Sequence, residues 1–212
     1  MLLLSLFSFL NTFQALSQDT RFGVKAGLNY SSIVGDLTDG IKFRFSGHGG
    51  VFIESEFTYN FSLQAELLYS SQGFQFSSDL LALENNGGTF DENDFRTNVQ
   101  LNYLTLPILG KFALNDRLDV EFGPQFGFLL NQVSKIKNLD QRDETVPDNR
   151  TSVSGDFQLD YGVVAGLNLN INDALSIEPR FYIGLRNRLN GLDSALQNYN
   201  VAIQVSANYL LF

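Results

Sequence analysis

Cysteine is absent from the 212 residues, which excludes disulfides, thiolate chemistry and cysteine-based zinc sites. Tryptophan is absent as well, and histidine occurs once, at His48. Charged residues make up only 17% of the chain, against roughly 25% in ordinary soluble domains. Basic residues are the minority, so the formal net charge is -9. That balance argues against a nucleic-acid partner, because phosphate contacts need a basic surface. Long apolar runs are missing beyond the N-terminus: no later segment approaches the ~18 to 20 residues of a transmembrane helix. Any membrane crossing must therefore be made by strands.

What is there is 44% hydrophobic, with 20 Phe, 8 Tyr and 18 Gly. The N-terminus "MLLLSLFSFLNTFQALSQ" has an apolar stretch from Leu2 to Leu10 and a small-x-small site at Ala15-Leu16-Ser17. It reads as a secretory signal peptide over residues 1–17, leaving one domain over residues 18–212.

The rest alternates with period two, the mark of strands with unlike faces. Eight strands are expected: about Arg21 to Ile33, Phe45 to Phe57, Phe61 to Ser70, Phe95 to Ala113, Leu118 to Asn131, Phe157 to Asn170, Leu175 to Leu185 and Asn198 to Tyr209. In the third, Phe61, Leu63, Ala65, Leu67 and Tyr69 oppose Ser62, Gln64, Glu66 and Ser70. In the last, Val201, Ile203, Val205, Ala207 and Tyr209 oppose Asn200, Gln204, Ser206 and Asn208. Tight links ("TYN", "LNDR", "NIND") alternate with longer polar ones. Short turns at one end and long loops at the other are the asymmetry of outer-membrane barrels.

Alternation alone does not say which face points outward. A soluble lipocalin-like barrel hides its apolar face; a membrane barrel presents it to lipid. The polar face carries mid-strand charges of both signs: Lys25, Glu54, Glu66, Lys111, Glu121, Asp160, Glu178 and Arg180. These suit a lumen in which they pair as a structural network, since buried charges must be compensated. The same face is rich in glycine, including Gly23, Gly27, Gly162 and Gly166, which makes room in the narrow interior of eight strands. The aromatics Tyr30, Tyr69, Phe74, Phe122, Phe128, Phe157, Tyr161, Phe181, Tyr199 and Tyr209 fall mostly on the apolar face, several of them near strand ends as interfacial girdles require. The fold expected is an all-β, eight-stranded antiparallel up-and-down transmembrane barrel. It would lie in the Gram-negative outer membrane, long loops outside and short turns periplasmic.

Pro107, Pro124 and Pro179 interrupt three of these strands. Proline removes a ladder donor, and a closed barrel has no edge on which to hide one. A bulge or a lost hydrogen bond is expected at each.

The segments "FGVKAGLNYSSI", "FSLQAELLYSSQGF", "LNYLTLPILGKF", "VEFGPQFGFLL", "LDYGVVAGLNL" and "LSIEPRFYIGL" together resemble, in order, the PorT-like outer-membrane β-barrel family. The most specific elements are Tyr-Leu-x-x-Pro-x-x-x-Lys at Tyr103 to Lys111 and Glu-Leu-x-Tyr at Glu66 to Tyr69. Thr105 departs from the pattern, standing where the family often has an acidic residue. The resemblance implies a small barrel, mostly without assigned activity, whose namesake serves a secretion and motility system. The terminal Phe212 suits recognition by the outer-membrane assembly machinery, although the apolar phase of its strand ends at Leu211.

Chemistry is sparse. His48 lies close to Ser46, but on lumen parity, away from any lipid substrate; nucleophilic catalysis also needs an orienting group. Acidic loop residues such as Asp79, Glu84, Asp140 and Asp148 show no calcium-loop spacing. The expectation is a monomeric, non-enzymatic barrel without catalytic, cofactor or metal residues. Its partners would be outer-membrane lipid, the assembly machinery and other envelope proteins. A lipid-modifying enzyme and a soluble ligand-binding barrel are the alternatives.

Overall fold

The computed structural model describes residues 19–36, 38, 40–77, 95–138, 149–153, 159–188 and 196–211. The signal segment, the acidic loop residues named above, Phe157 and Phe212 lie outside the described residues. The described elements are β1 (Asp19–Gly35), β2 (Ile41–Thr58), β3 (Phe61–Ser77), β4 (Phe95–Asn115), β5 (Leu118–Asn138), β6 (Asn149–Val153), β7 (Leu159–Asn170), β8 (Leu175–Gly184) and β9 (Asn198–Leu210). Every strand pairs antiparallel with its neighbours.

The sheet closes. β1 pairs β9, from Gly23↔Leu210 to Gly35↔Asn198, and β4 pairs β5, from Phe95↔Asn138 to Asn115↔Leu118. β6 and β7 lie end to end along β5, at 132–136 and 118–128 respectively, and act as one stave. The result is an eight-staved barrel. Closure matters because lipid offers no partner for a free N–H or C=O.

The barrel is turned inside out relative to a soluble protein. Leu28, Val51, Leu67, Phe122, Phe181, Ile203 and Val205 stand on the exposed surface, whereas Lys25, Gln64, Glu66, Glu121, Glu178 and Arg180 are buried. This is the parity that lipid outside and a polar lumen require. The lumen also holds apolar clusters: Leu109, Val164, Tyr182 and Ala202 in one, Val99, Leu101 and Tyr103 in another. Phe74, grouped by sequence with the aromatics of the apolar face, packs against the second cluster instead. β4 is apolar on both faces, so alternation alone does not fix its facing, and a register shift falls between Asn102 and Tyr103.

Pairing breaks beside each internal proline, yet register is kept. The β4–β5 ladder stops at Pro107↔Gln125 and resumes at Gly110↔Phe122, skipping the rungs of Pro124. The β3–β4 ladder passes from Ala65↔Ile108 to Leu68↔Thr105 across Pro107. The β7–β8 ladder passes from Gly166↔Arg180 to Leu169↔Ile177 across Pro179. Each proline therefore forfeits local pairing on one side without forming a bulge, and the neighbour on the other side holds Pro124 and Pro179 in place at Pro124↔Val163 and Pro179↔Val205.

Candidate functional site

The strands deliver seven of the eight sequence-predicted polar residues to one layer of the lumen. Arg180 of β8 is its centre. Its guanidinium donates to Glu66 of β3 twice, Nη1 to Oε2 at 2.9 Å and Nη2 to Oε1 at 2.7 Å. It also engages Glu121 of β5, through Nη2 to Oε2 at 3.1 Å and through Nε to Oε1. Glu178 Oε2 lies 2.8 Å from Nη2. Planar, five-donor arginine suits such forked contacts as lysine does not.

Two lysines complete the layer. Lys25 Nζ donates to Glu66 Oε1 at 2.6 Å and to Glu178 Oε2. Lys111 Nζ donates to Glu54 Oε2 at 2.9 Å and to Gln64 Oε1 at 3.1 Å. Gln64, which sequence reading left out of the network, also donates to Glu66 Oε1 at 2.5 Å. Arg21, likewise unpredicted, reaches Glu54 at 3.4 Å from the short-turn end. The layer thus sets Arg21, Lys25, Lys111 and Arg180 against Glu54, Glu66, Glu121 and Glu178, four charges of each sign. Thr105, the departure from the family pattern, donates to the Leu68 carbonyl at 3.4 Å, and Lys111 pairs with Glu54.

Asp160 is the exception and corrects the expected network. It accepts from Asn200 Nδ2 at 2.7 Å and from the Tyr182 hydroxyl, apart from the charged layer. Parity put it in the lumen correctly, but its height on β7, opposite Gly127, places it towards the long-loop end.

His48 sits elsewhere in the lumen, buried between two partners: Nδ1 is 2.7 Å from Asn29 Oδ1 and Nε2 is 2.7 Å from Ser206 Oγ. Ser46 is not its partner; that hydroxyl donates to the Ser71 carbonyl at 2.5 Å. The true partners lie on β1 and β9: Asn29 stands two residues beyond Gly27 on β1, and Ser206 comes from β9, with Gly27 between His48 and Ser206 in register. The chain Ser206–His48–Asn29 has the order of a nucleophile, base and orienting group. Ser206 is 2% exposed and faces the packed lumen, however, so the pair does not reach the lipid surface.

Glycine makes these packings possible. A Cβ at Gly27 would stand 2.6 Å from the His48 ring and 2.4 Å from the Val205 carbonyl oxygen. One at Gly166 would stand 2.7 Å from Arg180 Cγ and from Glu121 Oε1. Gly27→Ala is expected to destabilise the barrel by about 1–3 kcal/mol, as overpacking does. The drop in urea midpoint of the detergent-folded protein measures it; an unchanged midpoint would contradict this packing.

With a closed sheet, an apolar exterior and a charged interior described, the family comparison decides. The model for the outer membrane protein beta-barrel domain matches residues 14–190. The chain belongs to that family. As an outer-membrane barrel it resides in the Gram-negative outer membrane, and its apolar exterior is its lipid-facing surface. Among solved structures it resembles Ail, the attachment invasion locus protein of Yersinia pestis, at 12% identity and TM-score 0.47, covering 92% of this chain and 100% of that one. It also resembles Neisserial surface protein A, at 9% identity and TM-score 0.48, covering 91% and 99%. The outer membrane protease OmpT of Escherichia coli aligns at 11% identity and TM-score 0.34, covering 91% and 95%. No curated protein sequence matches the chain.

Proposed function

We propose that this outer-membrane barrel is a non-conducting, non-enzymatic scaffold that anchors its long loops at the cell surface and docks to other envelope proteins. The observation that carries this is the Arg180–Glu66 contact. β8 and β3 stand on opposite sides of the eight-staved ring, and their side chains meet across it at 2.7 Å. This pair crosses the bore, and the buried Lys25, Gln64, Glu121 and Glu178 pack around it, in keeping with the narrow interior of eight strands. The short turns, at Tyr59–Asn60, Asp116–Arg117 and 171–174, are assigned to the periplasm and the long links to the exterior.

The resemblance to the PorT-like family supports a finer reading, service to a secretion or motility complex. It rests on the Tyr103–Lys111 and Glu66–Tyr69 elements rather than on the barrel as such. Two measurements test the proposal. Purified barrel in planar bilayers is expected to show no defined conductance steps, and a regular channel would refute the scaffold reading. Detergent pull-down of the tagged protein from native envelopes is expected to recover a defined membrane complex. Recovery of the barrel alone would remove the docking role.

A further inference from the structure

Beneath the charged layer the lumen widens, at the short-turn end, into a cavity of about 880 Å³. One arc of its wall, running from β5 through β7 and β8 to β9, carries Asp119, Asn168, Asn170, Ser176 and Asn208. Asp119 faces Asn168 in register, and Asn170, Ser176 and Asn208 form one rung. The amide groups of this arc donate to one another and to Asp119. Asn168 Nδ2 donates to Asp119 Oδ2 and to Asn170 Oδ1, both at 2.8 Å. Asn170 Nδ2 donates to Asp119 Oδ2 at 3.3 Å, and Asn208 Nδ2 to Ser176 Oγ at 3.1 Å.

Acceptors are left over. Asn168 Oδ1 and Asn208 Oδ1 have no partner, although the two residues are only 1% and 3% exposed. Unmatched acceptors in so buried a setting are costly. Asp119 receives only neutral amides; among the described residues no ion pair reaches it. Of the bases lining the cavity, Arg21 and Lys111 pair with Glu54 and Glu56, although Arg21 Nε has no partner, and Arg117 stands exposed in the β4–β5 turn.

We propose that this arc binds the primary ammonium group of a linear amine entering from the short-turn side, either a free diamine or the lysine side chain of a peptide. An ammonium brings three donors, no acceptor and one positive charge, which is what an uncompensated carboxylate on the same wall as two orphan carbonyl oxygens lacks. On this arc a phosphate or carboxylate would meet acceptors and a like charge, which selects against such ligands there. The volume lies within the range of small-molecule sites.

The test is calorimetric titration of the folded barrel, in uncharged detergent, with 1,4-diaminobutane, with the peptide Gly-Lys-Gly and with its Nε-acetylated form. At least one of the two amines is expected to bind saturably and the acetylated peptide not to bind. Binding of the diamine alone identifies a free amine as the ligand, and binding of the peptide alone identifies a lysine side chain. Asp119→Asn and, separately, Asn208→Leu should each weaken binding by about tenfold, the size of one charged hydrogen bond. Heat-dependent gel mobility confirms that both variants are folded. Absence of saturable binding by either amine, or equal affinity in both folded variants, would overturn the proposal.

Discussion

Replacing Arg180 with methionine is expected to destabilise the barrel by about 3–5 kcal/mol, the cost of leaving buried charges without their partner. Arg180 is 4% exposed and contacts three carboxylates. Glu66 and Glu178 would keep Lys25. Glu121 would keep no cation among the contacts described, because Arg180 is the one that reaches it. The loss should therefore concentrate on Glu121, and adding Glu121→Gln should recover at least about 1 kcal/mol, a coupling of the size seen between residues of one network. Urea unfolding of the detergent-folded protein checks both, with the midpoint falling and the slope unchanged. Arg180→Lys should not restore wild-type stability, since a point charge does not reproduce two forked contacts. A loss below about 1 kcal/mol for Arg180→Met would mean that the layer contributes little.

The second large effect is on the outer face. Val205 sits in the middle of β9, half exposed, opposite Pro179 of β8 and Leu28 of β1. In lipid, Val205→Arg should cost about 2–4 kcal/mol, because a cation at mid-depth loses its hydration. On a water-facing surface the same change would be close to neutral. Folding equilibrium in lipid vesicles distinguishes the two. Gln204→Arg, one residue away, points into the lumen beside Asn29 and tests packing rather than lipid.

Much of this was legible because a period of two is a strong signal over eight staves. Parity alone placed Lys25, Glu54, Glu66, Lys111, Glu121, Asp160, Glu178 and Arg180 inside, and all are buried. Parity says nothing about height along the barrel, so it did not separate Asp160 from the charged layer. Height depends on register between strands, which side-chain alternation does not encode. The same blindness paired His48 with Ser46, two residues away in sequence, when its partners Asn29 and Ser206 arrive from the neighbouring strand and the one beyond. Strand ends were also understated. β5 continues to Asn138 and gains β6 as a partner, although its composition turns polar after Leu130. Backbone pairing above the lipid layer needs no apolar face, so hydropathy does not report it. At the prolines, by contrast, sequence identified where pairing fails, and only the choice between a bulge and a plain gap needed coordinates.

The central claim is that the apolar face meets lipid and the polar face fills the lumen. The absence of native cysteine makes it directly measurable. Single cysteines placed in turn at positions 202 to 209 of β9 can be spin-labelled in vesicles without background. Collision rates with oxygen and with a water-soluble nickel complex then report the surroundings of each label. The account predicts strict alternation: positions 203, 205, 207 and 209 open to oxygen and closed to nickel, and the even positions shielded from both. Odd positions that collide freely with the nickel complex, or eight positions without alternation, would contradict it.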